Sequence, residues 1–345
     1  MFSVRHLLNT LYVTTPQSYL HLDNENVRID KKGERSRKVP LRVLEQIVAF
    51  GSLGCSPQLM GACVDRGILL SFLDMNGRFL AKVDGVPTGN VLLRRQQFRW
   101  AESDRRSLHV AKRCVAAKTR NQLVVLKRFS RERAERVDDS FKGAMASVED
   151  LLCDVEAAET MDELRGIEGK CAQWYFSVFD SMVLPEVSEL RFAGRSRRPP
   201  KDPVNALLSF FYTLLSRDVA AGCAAVGLDP YVGFLHADRA GRESLSLDLM
   251  EELRPYLTDR FVLSLVNRGQ VGSKDFIFEV DGSVRLKDEA RKRVISLWQK
   301  RKQDEVVHPF LGERMPVGLL PYVQPLLFAR YVRGDLDDYP AFLWR

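Results

Sequence analysis

Between Asn9 and Asp84 the apolar residues come in runs too short for helices. Leu11-Tyr12-Val13, Tyr19-Leu20-His21-Leu22, Val27-Arg28-Ile29, Ile47-Val48-Ala49-Phe50 and Ile68-Leu69-Leu70-Ser71-Phe72 are rich in β-branched and aromatic side chains. Turn signals separate them at Asp23-Asn24, Lys32-Gly33, Asn76-Gly77 and Asp84-Gly85. This pattern predicts strands, with one short helix over 59–64 between Pro57 and Gly67. From Val91 the apolar spacing becomes helical and continues to Arg136, with a break or cap at Ser103-Asp104. Further helices are expected over 144–157, 161–183, 203–226, 247–254, 287–302 and 317–332. One β-hairpin should interrupt them, with strands 276–280 and 283–286 joined by the two-residue turn Asp281-Gly282. The expected fold class is α+β: a small N-terminal β-rich, β-sandwich-like domain over 1–85, a linker over 86–90, and a larger helical domain over 91–345. The segment from Gly334 reads as a tail docked by Phe342, Leu343 and Trp344.

Charge adds a partner class. Of 345 residues 45% are hydrophobic and 28% charged, enough for real cores, and the net charge is +7. The surplus concentrates in 91–136, where Glu102, Asp104, Glu132 and Glu135 stand alone against a long series of Lys and Arg. Internal pairing cannot neutralise it, so phosphates are the natural counter-charge. The six cysteines form no C-x-x-C pair and read as free thiols of a reducing compartment. No run approaches the length needed to span a bilayer, and no signal peptide is evident, so a cytoplasmic location and no membrane partner are expected.

The candidate chemistry is a histidine and carboxylates on separate elements, the ingredients of a divalent-metal site. Glu168 follows Leu164 by four and precedes Cys171 by three, which puts its carboxylate on the helix stripe that faces other helices. A carboxylate there needs a cation or a salt bridge, to Arg165 or another buried Arg. His236 ends the apolar run Tyr231-Val232-Gly233-Phe234-Leu235. Asp248 and Glu251 share one face of a helix for which Ser246 is a plausible N-cap. A structural histidine and helix-dipole acids are the plain alternatives.

Three segments together resemble a known family. Leu164-Arg165-Gly166-Ile167-Glu168-Gly169, Asp202-Pro203-Val204-Asn205-Ala206-Leu207-Leu208-Ser209, and Gly233-Phe234-Leu235-His236 through Arg254-Pro255 look like the CRISPR-associated endonuclease/integrase family, the metal-dependent subunit of the spacer-acquisition complex. The resemblance covers nearly the whole chain. It implies metal ligands and catalytic residues at Glu168, His236 and Glu251, a supporting acid at Asp248, and a helix-organising asparagine at Asn205. Phe210-Phe211-Tyr212 departs from the smaller residue often found before that tyrosine.

The implied activity is transesterification, in which a protospacer 3′-hydroxyl attacks a phosphodiester of the CRISPR repeat; water in its place gives nuclease activity. The implied cofactor is Mg²⁺ or Mn²⁺, with no nucleotide cofactor, since nothing resembles a P-loop. The implied partners are double-stranded DNA, a second copy joined through the β-rich domains, and a small ferredoxin-like adaptation protein. Arg165, Arg195, Arg197, Arg198, Arg239 and Arg242 are the expected DNA contacts near the metal. Other readings are a non-catalytic DNA-binding scaffold and a stand-alone repair nuclease for branched DNA.

Overall fold

The structure is a computed structural model that describes residues 10–15, 17–44, 46–51, 53–73, 79–83, 85, 91–184 and 190–344. The expected linker over 86–90 and the Asn76-Gly77 turn lie outside the described residues. The N-terminal part holds β1 (Thr10–Val13), β2 (Tyr19–Asp23), β3 (Asn26–Asp30), β4 (Arg37–Pro40), β5 (Gln46–Phe50), β6 (Gly54–Cys55), α1 (Pro57–Asp65), β7 (Leu69–Leu73) and β8 (Phe79–Val83). They form two four-stranded sheets ordered β1-β5-β7-β8 and β4-β3-β2-β6. The β2–β3 turn lies at Asn24-Glu25, and Asn24 adopts φ 53°, a left-handed conformation that Asn tolerates. Strand β4 escapes the pattern because Arg37-Lys38-Val39-Pro40 is polar and ends in proline, as a solvent-facing edge strand can.

Every residue of β5 is buried, because both faces of that strand are covered. Ile47 and Ala49 join Leu20, Leu59 and Leu70 in the core of the β-rich part. Val48 and Phe50 point the other way into the helical core, where the Phe50 and Phe210 ring centroids lie 6.1 Å apart.

The rest is helical: α2 (Val91–Ala101), α3 (Asp104–Glu132), α4 (Asp139–Ala157), α5 (Met161–Ser177), α6 (Pro203–Ala225), α7 (Ser244–Glu251), α8 (Arg260–Asn267), α9 (Asp288–Lys302) and α10 (Leu320–Arg333). Ser103 caps α3 as expected, accepting a hydrogen bond from the Arg106 N–H. Helix α6 runs through the centre and is buried on most sides. At Gly222 a Cβ would sit 2.2 Å from the Pro321 carbonyl oxygen of α10, so this crossing requires glycine.

Three expectations change. Ser246 is not a cap: it lies buried inside α7, which begins at Ser244 without a side-chain cap. Arg254-Pro255, read as a helix end, instead opens a π-helical turn over Arg254–Asp259 that leads into α8. Proline has no N–H to give and crowds the preceding turn, so the helix widens there instead of stopping. The predicted hairpin exists as β9 (Phe276–Phe278) and β10 (Val284–Leu286), but its loop is longer. The Glu279 N–H donates to the Ser283 carbonyl, and Gly282 takes φ 77°, which makes a three-residue loop. A second small hairpin, β11 (Glu305–Val307) and β12 (Arg314–Pro316), had no counterpart in the apolar pattern.

All six cysteines are free, with Cys153 exposed. Among the described residues no helix is long and apolar enough to cross a membrane.

Candidate metal and nucleic-acid site

The loop ending at His236 is built around one buried carboxylate. Asp248, with no solvent exposure, accepts hydrogen bonds from the backbone N–H groups of Phe234, Leu235 and His236 at 2.6, 3.0 and 3.0 Å. Its Oδ1 also lies 2.6 Å from Nδ1 of His236. The ring is therefore held through Nδ1, and Nε2 is the nitrogen left for other chemistry. The loop can come this close to α7 only because residue 233 is glycine: a Cβ would meet Ser244 Cβ at 2.6 Å and Asp248 Oδ2 at 2.9 Å. From the other side Arg165 clamps the loop, donating Nε and Nη2 to the Leu235 carbonyl at 3.2 and 3.0 Å. The guanidinium expected on DNA thus also anchors the histidine.

Glu168 of α5 and Glu251 of α7 converge on a third helix. Lys118 of α3, only 5% exposed, pairs its ammonium with Glu168 Oε1 and lies 2.8 Å from Glu251 Oε2. Glu251 is 2% exposed, and Arg254 approaches its Oε1 at 2.7 Å. Burial alone would raise the Glu251 pKa, but the charges of Arg254, Lys118 and His236 overcome it and bring the group down to about 2. Burial likewise opposes the charge on Lys118, yet Glu251 and Glu168 hold its pKa above the ordinary lysine value. The Lys118 ammonium is thus the cation that faces Glu251 Oε2. Glu168 is 27% exposed, more open than its place on an inward stripe implied. Among the described residues no three His, Cys, Asp or Glu side chains stand close enough to hold one ion. The structure brings the two glutamates to a shared cation and leaves the His236 ring on Asp248.

Lys118 carries a sequence signal of its own. It follows Cys114 by four and precedes Gln122 by four, and both are buried, so it sits on the inward stripe of α3. A lysine there demands a buried acid.

A cationic rim surrounds these groups. Arg254 and Arg195 both lie over the Tyr212 ring, at 4.8 and 5.4 Å from its centroid. Asn205, itself at the start of α6, accepts from Arg195 Nη1 at 2.6 Å and donates to the Gly194 carbonyl at 2.7 Å, so the expected organising asparagine shapes the loop before its helix. Burial lowers the Arg195 pKa, and neighbouring Arg197 and Arg254 lower it further. On the histidine side burial depresses Arg242, as do Arg239, Arg198 and Arg165. Arg195 thus shares the Tyr212 ring with Arg254, Arg165 is bonded to the His236 loop, and Arg239, Arg198 and Arg165 all act on Arg242. Like charges crowded this way favour a polyanion.

Tyr212 also donates its hydroxyl to Asp259 Oδ1 at 2.5 Å. Burial raises Asp259 from 3.8 to about 6 against that bond. A raised carboxyl contributes stability below its unfolded value and loses it as pH rises through the folded one. Asp259→Asn keeps the acceptor and removes the buried charge. Thermal melts should therefore show the variant gaining up to about 3 kcal/mol at pH 8 relative to the unaltered chain, and only about 0.5 kcal/mol at pH 4. Equal gains at both would assign the effect to packing.

The chain's end straps the next residue. Glu252 accepts from the Tyr339 hydroxyl at 2.5 Å, Gln324 Nε2 at 2.9 Å and the Phe342 N–H at 2.6 Å, while Asn121 Nδ2 donates to the Phe342 carbonyl at 2.8 Å. Phe342 is buried as expected and Trp344 stacks under Arg260 at 4.2 Å, but Leu343 is exposed.

Comparison with known proteins agrees in extent with the resemblance in the sequence. Residues 11–300 match the family model described as CRISPR associated protein Cas1. The CRISPR-associated endonuclease Cas1 1 of Chlorobaculum tepidum is 47% identical over 98% of this chain and 99% of its own. Among solved structures, a casposase bound to integration product superposes with a TM-score of 0.82 at 22% identity, over 98% of this chain and 94% of that one. A Cas6-RT-Cas1–Cas2 complex superposes with a TM-score of 0.83 at 23% identity, over 100% of this chain and 36% of that one.

Proposed function

The chain belongs to the Cas1 family of CRISPR-associated endonucleases, and on that premise we propose that Glu168, Glu251 and His236 hold a divalent cation, Mg²⁺ or Mn²⁺, at which DNA phosphodiesters are cut or exchanged. One observation carries the reading: two carboxylates from different helices share a single buried cationic point at Lys118. Acids drawn together around one positive charge suit a hard divalent ion, and an imidazole beside them makes Mn²⁺ as suitable as Mg²⁺. When bound, the ion polarises the phosphate and stabilises charge on the attacking or leaving oxygen.

The protein's own groups do the rest. Asp248 keeps Nδ1 of His236 engaged so that Nε2 faces the reaction, and Arg165 fixes the loop that carries the ring. The arginines at Tyr212 and at the His236 loop hold the backbone phosphates. In the acquisition reaction a 3′-hydroxyl displaces a strand of the repeat: one P–O bond forms, another breaks, and no nucleotide cofactor is consumed. The name of the casposase neighbour, bound to integration product, is consistent with this transfer. We further propose that residues 1–85 form a unit through which two copies pair, and that a small ferredoxin-like adaptation protein joins them. The presence of Cas2 in the name of a structural neighbour supports the second of these.

The test is to incubate a labelled duplex bearing free 3′-hydroxyls with a repeat-containing plasmid, the protein and Mg²⁺ or Mn²⁺. Joined products that vanish on chelation are expected. Binding without any metal-dependent nicking or joining would leave a DNA-binding scaffold instead, and cleavage of branched junctions without joining would leave a repair nuclease.

A further inference from the structure

We infer that Lys118 is a positioning residue of this site: its ammonium is the built-in counter-charge of Glu168 and Glu251, and a divalent cation binds by displacing it from the same two carboxylates. This rests on the proposed metal site and adds a residue and a competition to it.

The geometry is specific. The lysine stem is buried along α3, and its ammonium is the only cation within ion-pairing distance of Glu168 among the described residues, while Glu251 has Lys118 on Oε2 and Arg254 on Oε1. Arg254 is tied elsewhere, over the Tyr212 ring, and reaches the opposite oxygen of Glu251. Glu251 Oε2 and Glu168 Oε1 are thus the atoms that face each other across the ammonium.

Charge sets the competition. Glu168 and Glu251 bring two negative charges, Lys118 and Arg254 two positive ones, and these four groups together are neutral. A divalent ion added to a neutral cluster gains little; added to one that has lost a lysine charge, it meets a net negative site. Without metal, the lysine stops the buried Glu251 and the partly exposed Glu168 from repelling each other. It therefore assembles the acidic pair before the ion arrives and weakens the ion's hold once it does.

The test uses the full chain, with Mn²⁺ alone as ligand, by titration calorimetry and thermal melting. Lys118→Met should bind Mn²⁺ at least tenfold more tightly, melt lower than the unaltered chain without metal, and show a larger metal-induced rise. Lys118→Arg, which keeps the charge, should bind within about threefold of the unaltered chain. A purely structural lysine would lower the melting point without tightening binding. A folded Lys118→Met with unchanged or weaker Mn²⁺ affinity overturns the inference.

If the neutral variant does not fold, the unaltered chain decides. The Lys118 ammonium resonance, assigned through Lys118→Arg, should shift on titration with Mg²⁺ and saturate with the binding isotherm. A resonance unmoved while Mg²⁺ binds is the contrary result. Glu168→Gln separates the two levels: if it leaves Mn²⁺ affinity intact, the metal-site reading itself fails. If it weakens binding while Lys118→Met does not strengthen it, only the role of Lys118 fails.

Discussion

Glu251→Gln should reduce metal-dependent cleavage and joining of DNA by about a thousandfold or more, equivalent to about 4 kcal/mol of transition-state stabilisation. The substitution keeps the shape of the side chain and removes the charge that Lys118 and Arg254 both face. Two buried cations then lose a shared partner, so the melting point should fall as well. Glu168→Gln separates the effects, because its carboxylate is partly exposed and its loss costs the fold less. It should show a comparable loss of activity with a small change in melting point. His236→Ala should follow the same pattern. All three are read in one assay, with a labelled duplex, at matched protein folding and saturating Mn²⁺. Activity within tenfold of the unaltered chain in any of them would remove that residue from the site.

The second large effect is expected at Asp248, through the backbone. Asp248→Ala strips the acceptor from three N–H groups and from the His236 ring in a place without solvent. Leaving those donors unpaired should cost on the order of 3–5 kcal/mol and lower the melting point by roughly 4–7 °C. Asp248→Asn is more informative. One oxygen and one amide group replace two acceptors, so at least one backbone N–H or the ring Nδ1 meets a donor. Activity should fall at least a hundredfold while most of the fold survives. If Asp248→Asn retained full activity, the orientation of His236 would not depend on this carboxylate.

Much of this arrangement is legible in the chain itself. Ser103 separates α2 from α3 because a cap leaves a mark in the sequence, and β5 stands out as an unbroken apolar run because it is covered on both faces. Glu168 is visible on a helix stripe and His236 at the end of an apolar run, whereas Asp248 and Glu251 share a helix face and take their roles from the family resemblance.

The elements that escape the pattern have common physical causes. Helix α8 is hidden behind Arg254-Pro255, since a π turn tolerates a proline that an α-helix does not, and no local signal distinguishes the two. Strand β4 has an edge strand's composition and so reads as loop. Lys118 is lost among the surface cations of α3, although its spacing puts it inward, because a count of charges is blind to the face that carries them. The tail's partners, Asn121, Glu252 and Gln324, lie far apart along the chain, and no periodicity links such positions.

A crystal grown with Mn²⁺ tests the central claim most directly. One anomalous peak is predicted within bonding distance of Glu168, Glu251 and Nε2 of His236, with the Lys118 ammonium withdrawn from the two carboxylates. A manganese ion bound elsewhere, with Lys118 still joining Glu168 to Glu251, would contradict it.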